Sequence, residues 1–327
     1  MFFLQFLDGI LMLNILVVII NYKTPELVIQ AVLSVIPQLG EADKICIVDN
    51  SSGDKSVSYL FEFIEKESLE NKVSLIASPI NGGFSAGNNI GINSEEAEYY
   101  LLLNSDAYLT EGALPQLINE MHKADEVGIV VPQLTWSDSI QQTSCFYLLT
   151  PFNSFIQSAK TGVVSQMFSL FGGNEIAIPL EKHRTVQAEW LSFACVLLNN
   201  KMIKEIGLMD EGYFMYYEDM DYCRRASKQG WTLNYAHDAK VVHLNQGDSN
   251  HKTIKRLPRY YFNSRSRYFL KYYGRSGLLI SNVLWSLGRI ISFCREKTAN
   301  KSPVFHCTMF KDVWVGFFTS LKEEKHG

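Results

Sequence analysis

Two acidic segments carry the residue types most able to do chemistry in this chain. Asn104, Ser105 and Asp106 directly follow the apolar run 99–103, which is typical of a buried strand. Mg²⁺ and Mn²⁺ favour carboxylate oxygens together with substrate phosphates, so an acid at the exposed end of such a strand can help to hold a metal-bound diphosphate. The same three residues also suit a turn that only closes the strand.

The second segment runs from Tyr216 to Asp221 and places three carboxylates within four residues at the start of a predicted helix. Acids in a first turn complement the helix dipole, which accounts for one or two of them. Glu218 or Asp219, facing a cleft, can instead take a proton from a hydroxyl nucleophile. His243 ends a short predicted strand and offers a nitrogen ligand for the same metal, although a lone histidine is more often structural.

Amide, hydroxyl and glycine residues follow three further predicted strands. These clusters are Asn21 with Tyr22, Asp49 with Asn50, and Asn81 with Gly82. The second cluster offers donors and acceptors to a nucleoside base or ribose, and it also suits a turn and helix cap. The glycine-rich run 81–91 lets the backbone approach a diphosphate closely. It is not a G-x-G-x-x-G motif that opens the first crossover, so a dinucleotide-binding site is disfavoured.

The elements that must position these residues alternate along the N-terminal half. Apolar, β-branched runs predict strands over 15–20, 44–48, 73–77 and 99–103. A helix is predicted after the first strand, with Thr24 as its N-cap and Pro25 as its first residue. Such alternation predicts a parallel sheet with helices on both faces. Ligands gather at the carboxyl ends of the strands in these sheets, where the polar clusters fall.

The remainder of the chain is less regular. The stretch 133–187 is rich in Ser, Gln and Phe, and we interpret it as a long insertion. Order returns with strands predicted over 190–198 and 240–242 and a helix that ends near 229.

The C-terminal stretch changes sharply in composition. Residues 251–275 hold eight Lys or Arg, seven Tyr or Phe and no acid. The next predicted helix has an apolar and a polar face, formed by Leu279, Val283, Leu287, Ile290 and Ile291 and by Ser281, Asn282 and Arg289. A last amphipathic helix is predicted around 310–321. This pattern fits contact with an anionic membrane surface, and equally helices that pack on the main domain with their charges solvated.

The composition excludes several classes of protein. With 327 residues, 47% hydrophobic side chains and a net charge of −4, the chain is too apolar and too weakly charged for disorder. A pI near 6.0 argues against a nucleic-acid binder that relies on overall charge. The six cysteines form no C-x-x-C pair, which fits a reducing, cytoplasmic compartment. The sequence has no G-x-S-x-G, P-loop or H-E-x-x-H motif to support hydrolase, P-loop or zinc-protease chemistry.

The first twenty residues are apolar, but Gln5, Asp8 and Asn14 interrupt them and no Lys or Arg precedes them. We therefore favour a strand over a signal peptide, with a membrane-inserted N-terminus as the alternative. Residues 1–11 are interpreted as an N-terminal extension, with Met12 as an alternative start.

Taken in order, these segments resemble family-2 glycosyltransferases of the GT-A fold, particularly the bacterial rhamnosyltransferase-like branch. The matching segments are VVIINYKTPE, IVDNSSGD, NGGFSAGNNIGI, LLLNSDAYL, EWLSFACVLL, IGLMDEGYFMYYEDMDYCRRASKQGW and VVHLNQGDS. They extend over roughly 15–249, and the tail segment RYYFNSRSRYFLKYYGR also resembles that branch. The resemblance implies an α/β fold, the Rossmann-like nucleotide-diphospho-sugar transferase fold, with a mixed, mainly parallel sheet flanked by helices and a C-terminal helical appendage.

The resemblance also implies a donor site. A nucleotide-diphospho-sugar is expected to bind the N-terminal half. Asp49 matches the family acid that contacts the nucleoside base, and Asn81 lies in the matching donor loop. The expected donor-binding set is Asn21, Tyr22, Asp49, Asn50, Asn81, Gly82, Asn104 and Ser105.

The resemblance assigns the chemistry to later residues. Asp106 matches the second acid of the metal-binding D-x-D motif and His243 a later histidine ligand, which implies Mg²⁺ or Mn²⁺ as cofactor. Asp219 matches the catalytic base, with Glu218 as the reserve choice. The base would deprotonate an acceptor hydroxyl, and a single displacement would invert the anomeric configuration.

Two residues depart from the family pattern. Asn104 stands at the first D-x-D position, which removes one negative charge from the metal site. Phe193 stands where glycine is expected, and a ring there is expected to reshape the acceptor pocket. These departures keep open a non-catalytic module that binds nucleotide-sugars or scaffolds glycan assembly. A sugar nucleotidyltransferase is a weaker alternative, because the segment after the first strand lacks a Gly- and Arg-rich loop.

The sequence therefore predicts an inverting glycosyltransferase that moves a sugar, with rhamnose as a candidate, to a cell-surface glycan or lipid-linked acceptor. The expected organisation is an extension over 1–11, a GT-A domain over 12–255 and a basic, amphipathic helical tail over 256–327. Within the domain, 12–130 is the nucleotide-sugar half and 131–255 the acceptor half. We expect a cytoplasmic protein, peripheral at the inner face of the membrane, that contacts the bilayer through residues 251–327.

Overall fold

The structure is a computed structural model that describes residues 6–7, 10–11, 13–159, 177–178, 180, 187–244, 256–300 and 307–323. The strands are β1 Phe6–Leu7, β2 Ile10–Leu11, β3 Leu13–Asn21, β4 Lys44–Asp49, β5 Val73–Ala77, β6 Ala97–Asn104, β7 Ala107–Leu109, β8 Val127–Thr135, β9 Cys145–Phe146, β10 Trp190–Leu191, β11 Cys195–Asn199 and β12 Thr232–His243. The helices are α1 Pro25–Val35, α2 Ser56–Lys66, α3 Gly83–Ile92, α4 Ala113–Met121, α5 Asn153–Ala159, α6 Asn200–Ile206, α7 Glu218–Lys228, α8 Arg259–Thr298 and α9 Met309–Glu323. A 3₁₀ turn, Ile36–Gln38, follows α1.

Eight of the described strands form one twisted sheet in the order β5-β4-β3-β6-β11-β8-β12-β7. The pairs β5–β4, β4–β3, β3–β6 and β8–β12 are parallel, whereas β11 and the edge strand β7 run antiparallel to their neighbours. The predicted mixed, mainly parallel sheet is confirmed. Two short antiparallel ladders, β1–β2 and β9–β10, lie outside it.

The core lies on both faces of this sheet, because the central strands are apolar at every position rather than at alternate ones. In β3, Ile15, Val17 and Ile19 face the layer that contains α1, α2 and α4. Leu16 and Val18 face the opposite layer, with α3, α6 and α7. Burial on both faces leaves only the strand ends exposed to a ligand.

Most predicted elements are present, with three differences. The expected strand 240–242 is only the end of β12, which extends over twelve residues from Thr232. The expected strand 190–198 is split into β10 and β11, which belong to different sheets. The run 81–91 is mostly the helix α3, so only its first residues can act as a loop.

Helix α8 is two helices that meet at Gly274, whose φ of 67° and ψ of −172° are not helical. Its second part, 275–298, packs against α5 and α9. An 18-residue window of α8 has a mean hydropathy of 1.4 and is half buried, so by length and composition α8 passes the test for a membrane-spanning helix, as core helices of soluble proteins also do.

Candidate active site

The edge strand β7 brings two predicted metal ligands together. It pairs antiparallel with the end of β12, so that Ala107 lies opposite His243. The Leu244 amide donates to the Asp106 carbonyl oxygen at 2.8 Å, which continues this pairing. As a result His243 Nε2 lies 3.3 Å from Asp106 Oδ1, and both side chains are partly exposed.

A glutamine that the sequence analysis missed holds the His243 ring. Gln142 Nε2 donates to the carbonyl oxygens of His243 and Thr135, which orients its Oε1 toward His243 Nδ1 at 3.0 Å. Nδ1 is thereby positioned to donate to Oε1, which leaves Nε2 as the ring nitrogen that faces Asp106. Partners of this kind fix the tautomer of metal-binding histidines. Gln142 lies in the irregular stretch after β8, where no motif marks it.

Asp106 and His243 fit a divalent cation. An octahedral ion about 2.1 Å from its ligands separates adjacent ones by about 3.0 Å, close to the 3.3 Å observed. The described residues hold no cluster of three or more His, Cys, Asp or Glu that could bind a metal. Such an ion would therefore need other ligands, and Mg²⁺ commonly takes them from substrate phosphates and water.

Asp49 lies at the carboxyl end of β4 with its carboxylate buried and hydrogen-bonded. Asn21 Nδ2 and Ser52 Oγ both donate to Asp49 Oδ2 at 2.6 Å, and the Ser52 amide donates to Oδ1 at 3.0 Å. The Lys23 amide donates to Ser52 Oγ and so ties the end of β3 to the same cluster. Tyr22, beside it, is exposed. The cluster fixes the floor of the expected nucleoside site.

The expected donor loop is joined to β4 by amide side chains. Asn50 Nδ2 donates to Asn81 Oδ1 and to the Gly83 carbonyl oxygen, and the Gly82 amide donates to Asn50 Oδ1. Asn81 Oδ1 also accepts from the Gly83 amide. These contacts place the first turn of α3 at the carboxyl end of β4.

The donor loop in turn contacts the segment that leads to the acidic helix. Gly83 has a φ of +82°, and a Cβ atom there would lie 1.9 Å from the Phe214 carbonyl oxygen. The next amide, of Phe84, donates to that same oxygen at 2.7 Å. Only glycine fits at this position. Loop 81–83 therefore packs directly against the turn before α7 and is hydrogen-bonded to it.

That turn is strained where it enters α7. Tyr216 and Tyr217 have φ values of 69° and 70°, in the left-handed region that bulky side chains rarely occupy. Tail residues hold them there: Tyr216 stacks on Tyr260, and Tyr217 packs against Tyr261. Strain of this size persists only when the surroundings impose it, and it concentrates at functional sites.

The strained turn presents a carboxylate pair with unusual electrostatics. Glu218 is buried and its Oε2 has no hydrogen-bond partner. Burial, and then the neighbouring Asp219, raise the pKa of Glu218 well above its ordinary value. Burial also raises the pKa of Asp219 to about 7, although its Oδ1 accepts from the Met220 amide at 2.8 Å. A carboxylate tuned in this way suits proton transfer near neutral pH.

The third acid of this segment, Asp221, is structural. Its buried carboxylate pairs with Arg225 at 3.0 Å and Lys271 at 2.6 Å and accepts from the Tyr272 hydroxyl at 2.8 Å. Lys271 also pairs with Asp210. The first part of α8 is thereby fastened against α7 and the turn before it.

The two departures from the family pattern have different surroundings. Phe193 is 3% exposed and packs edge-on against Tyr222, so its ring belongs to the core beneath the sheet. The expected effect of this ring on the acceptor pocket stays a prediction. Asn104 is the last residue of β6 and is partly exposed, and its backbone amide donates to the Ala194 carbonyl oxygen. Beside it, Ser105 Oγ accepts from Thr24 Oγ1, so Thr24 joins β3 to β6 instead of capping α1 with its side chain.

Most of the predicted site residues thus form three groups. The first joins Asn21 to Asp49, and the second joins Asn50 to the loop at Asn81 and Gly82 and, through Gly83, to the turn before Glu218 and Asp219. The third joins Asp106 to His243.

Two family models together match most of the chain, including the residues of this site. The model for glycosyl transferase family 2 matches residues 16–165, and that for glycosyl transferase family group 2 matches 99–310. The chain belongs to the family-2 glycosyltransferases. Both matches include Asp106, and the second includes Asp219 and His243.

Relatives place the chain in the rhamnosyltransferase-like branch. The low-salt glycan biosynthesis hexosyltransferase Agl10 of Haloferax volcanii is 22% identical over 69% of this chain and 66% of its own length. The N-acetylglucosaminyl-diphospho-decaprenol L-rhamnosyltransferase of Mycobacterium tuberculosis is 43% identical, over 16% of this chain and 18% of its own length. This chain spans just under two thirds of Agl10 and a smaller part of the mycobacterial protein.

Solved structures confirm the GT-A fold. GalNAc-T7 with UDP, GalNAc and Mn²⁺ aligns with 93% of this chain and 55% of its own, at 13% identity and a TM-score of 0.58. The mannosyltransferase PcManGT of Pyrobaculum calidifontis, in complex with GDP-Man and Mn²⁺, aligns with 94% of this chain and 86% of its own, at 11% identity and a TM-score of 0.53. At such identities the likeness shows the fold alone.

Proposed function

We propose that this protein transfers a sugar, with inversion, from a nucleotide-diphospho-sugar to a saccharide acceptor carried on a lipid. Rhamnose is the first sugar to test, because a short segment of the chain is 43% identical to an L-rhamnosyltransferase. The name of that enzyme gives its acceptor as a saccharide on a decaprenol diphosphate, which supports a lipid-linked acceptor for this chain.

The donor would bind across the carboxyl ends of β3, β4 and β6. The Asp49 cluster would receive the nucleoside, with Tyr22 exposed beside it. Loop 81–83, held by Asn50, would face the donor at the end of β5. Asn104 and Ser105 would lie under the diphosphate as neutral hydrogen-bonding groups, where a second acid would add charge.

Asp106 and His243 would hold a divalent cation, Mg²⁺ or Mn²⁺, at the diphosphate. A cation there would neutralise charge that develops on the leaving group. Gln142 keeps the His243 ring in the binding tautomer. The Mn²⁺ in both solved relatives supports this cofactor class.

Asp219 would act as the general base. Its carboxylate takes the proton of the acceptor hydroxyl as that oxygen attacks the anomeric carbon, and the bond from this carbon to the diphosphate oxygen breaks. The nucleoside diphosphate leaves from the opposite face, so one displacement inverts the configuration. Burial raises the pKa of Asp219 to about 7 and so increases its proton affinity. A carboxylate with this pKa is suited to take the proton of the acceptor hydroxyl during the attack.

A lipid-linked acceptor implies that the reaction takes place at a membrane surface. We place the protein at the cytoplasmic face, where nucleotide-sugars and a reducing compartment for its cysteines are both found. The four cysteines in β4, β9, β11 and α7 are buried and unpaired, which supports that compartment.

The observation that carries the proposal is the contact between Gly83 and Phe214, since it couples the expected donor loop to the turn that holds the base. The test begins with thermal-shift measurements against UDP, GDP, dTDP and CDP, with and without Mn²⁺ or Mg²⁺. Stabilisation follows the ratio of ligand concentration to Kd. We expect one nucleotide to raise the Tm only in the presence of metal, and Asp106→Ala to abolish that shift.

Transfer is then measured with the sugar donor of that nucleotide and a short-chain lipid diphosphate saccharide. Asp219→Asn should retain the nucleotide-induced shift and lose transfer. Donor binding without transfer by the wild-type protein to any lipid-linked acceptor would favour the non-catalytic module. The absence of a shift with every nucleotide would contradict the donor site itself.

A further inference from the structure

The second part of α8 is amphipathic in the reverse sense of a helix in a water-soluble protein. Seven large apolar side chains point outward, each 41–52% exposed. They are Leu279, Ile280, Val283, Leu287, Ile290, Ile291 and Phe293, and we call them the apolar stripe. A surface helix in a water-soluble protein normally turns such residues toward the core.

Polar residues occupy much of the inward face, beside the buried apolar Leu278 and Trp285. Ser281, Asn282 and Ser292 are fully buried, and Arg289 forms a buried ion pair with Glu296 at 3.1 Å. Buried ion pairs are poor sources of stability in a protein surrounded by water. In a membrane, by contrast, ionisable side chains face the protein interior and pair there.

The inward face is packed through small residues and side-chain hydrogen bonds. Ser281 Oγ lies 2.8 Å from Ser154 Oγ on α5, and Asn282 Nδ2 donates to the Val313 carbonyl oxygen on α9. A Cβ at Gly288 would lie 2.2 Å from Ser158 Oγ, so the backbones of α8 and α5 approach closely. Small residues and interhelical hydrogen bonds are the usual means by which helices associate in lipid.

No exposed charge interrupts the stripe, and basic residues flank it. Residues 276–294 carry no exposed charge and extend for about 28 Å at the helical rise of 1.5 Å per residue. Exposed basic residues, Arg275 at one end and Arg295 and Lys297 at the other, close the run. Such residues anchor a helix where hydrocarbon meets the headgroups.

The stripe differs from a typical protein-binding surface. The cores of protein interfaces are enriched in Tyr, Trp, Met and Arg and carry a hydrogen bond every 100–200 Å² or so. The stripe has six aliphatic residues and one Phe. On the outward face over 276–294, the other exposed side chains are Ser276 and Cys294, at the two ends. Hydrocarbon needs no hydrogen bonds from the surface that it covers.

The basic residues before the stripe are poorly placed to bind lipid. Arg267 and Lys271 pair with Asp210, and Arg256 pairs with Asp312. Arg265 is 2% exposed and bonds Asn282 and Ser281. These four residues therefore do not support the expectation that the basic stretch 251–275 attaches the protein to a membrane through its charge.

We infer that the apolar stripe of α8 is inserted face-on into one leaflet of a lipid bilayer, with its length parallel to the membrane plane. Only one face of the helix is free, because α5 and α9 cover the other. The attachment is consequently hydrophobic and monotopic, and it is independent of anionic lipid. This inference refines the proposed membrane location, but it does not depend on the transfer reaction.

The test is flotation of the full chain, freed of detergent, with vesicles of phosphatidylcholine alone or mixed with phosphatidylglycerol. The stripe variant is Leu287→Glu/Ile291→Lys, which keeps the net charge and adds a favourable i,i+4 pair. The matched control is Leu33→Glu/Phe61→Lys, which changes two comparably exposed apolar residues on α1 and α2. Loss of two buried side chains should lower vesicle partitioning by about a hundredfold.

We expect the wild-type and control proteins to float with neutral vesicles at both 0.1 and 1 M NaCl, and the stripe variant to remain in solution. Binding that needs phosphatidylglycerol and is lost in 1 M NaCl would overturn the inference in favour of basic residues. A wild-type dimer that does not float, and that the stripe variant converts to a monomer, would overturn it in favour of a second copy. Equal flotation of wild type and stripe variant would overturn it as well.

The nucleotide-induced thermal shift, measured on the same three proteins, checks that the variants are folded. It also separates the two proposals. Flotation without any nucleotide shift would contradict the proposed donor site and leave the lipid-facing stripe standing, whereas a nucleotide shift without flotation would do the reverse.

Discussion

Gln142 Oε1 lies 3.0 Å from His243 Nδ1 and so directs the other ring nitrogen toward Asp106. The two residues are 101 positions apart in the chain. The pair is held by the end of β12, because Gln142 also donates to the His243 carbonyl oxygen at 2.8 Å. A side chain outside every motif thereby controls the tautomer of a predicted metal ligand.

Replacing Gln142 should weaken metal binding. Gln142→Leu removes the acceptor for Nδ1–H, so we expect about a 10–100-fold loss of apparent Mn²⁺ affinity. The measurement is a Mn²⁺ titration of the nucleotide-induced thermal shift. Gln142→Glu keeps an acceptor oxygen at this position and should lose less. Equal Mn²⁺ affinity in the wild type and Gln142→Leu would show that the contact has no role in metal binding.

Replacing Gly83 should disturb the fold and the donor site together. Gly83→Ala adds a Cβ 1.9 Å from the Phe214 carbonyl oxygen at a φ of +82°. Gly53→Ala is the matched control, since Gly53 also has a positive φ but nothing within 4 Å of an added Cβ. The control should lose only about 1–2 kcal/mol of unfolding free energy.

We expect Gly83→Ala to lose more stability than the control in urea denaturation and to weaken the nucleotide-induced shift as well. The second effect matters because a purely local clash would leave the nucleotide affinity unchanged. Equal urea midpoints for the two variants would mean that the contact between loop 81–83 and Phe214 is not rigid.

Removal of charge from the two aspartates of α7 should affect different properties, activity for Asp219 and stability for Asp221. Asp219→Asn should lower kcat by about 10²–10⁴-fold, the usual contribution of a general base, with little change in stability. Asp221→Asn leaves Arg225 and Lys271 without their buried partner, so it should cost about 3–5 kcal/mol of unfolding free energy. Transfer assays and urea denaturation on both variants separate the roles. Unchanged transfer in a folded Asp219→Asn protein would eliminate Asp219 as the base.

The strand ends were predictable because each chemical cluster directly follows an apolar run, and in a parallel sheet those ends meet at one edge. This placed Asp49, Asn104 and Asp106 at that edge. The pairing of Asp106 with His243 depends on β7 folding back onto β12, which local patterning does not show. The same limit applies to the contact of Gly83 with Phe214, between residues 131 positions apart.

The tail illustrates a different limit. The periodicity of α8 correctly separates an apolar face from a polar one, but it does not say which face is buried. That depends on Ser154 and Ser158 of α5 and on α9, which supply polar and small partners for the face with Ser281 and Asn282. Within one element, hydrophobic periodicity defines two faces, and only the neighbouring elements decide their surroundings.

Glu218 should make the protein less stable as the pH rises. Burial and the neighbouring Asp219 raise the pKa of Glu218 in the folded protein, whereas the unfolded chain has a value of about 4.3. A raised pKa in the folded state means that the group's contribution to stability is complete below about pH 4.3 and declines as the pH rises toward the folded value. Glu218→Gln mimics the neutral carboxyl, so the variant should gain stability relative to the wild type as the pH increases.

The measurement is urea denaturation of the wild type and Glu218→Gln at pH 5.5 and pH 8. Asp219 also titrates between these values, so the control is the same comparison in an Asp219→Asn background, where the charge coupling between the two carboxylates is removed. We expect the stability difference to favour Glu218→Gln at pH 8 in both backgrounds and to be smaller in Asp219→Asn. A difference that does not change with pH would show that Glu218 is ionised in the folded protein at both values, and that its unpaired Oε2 is reached by water.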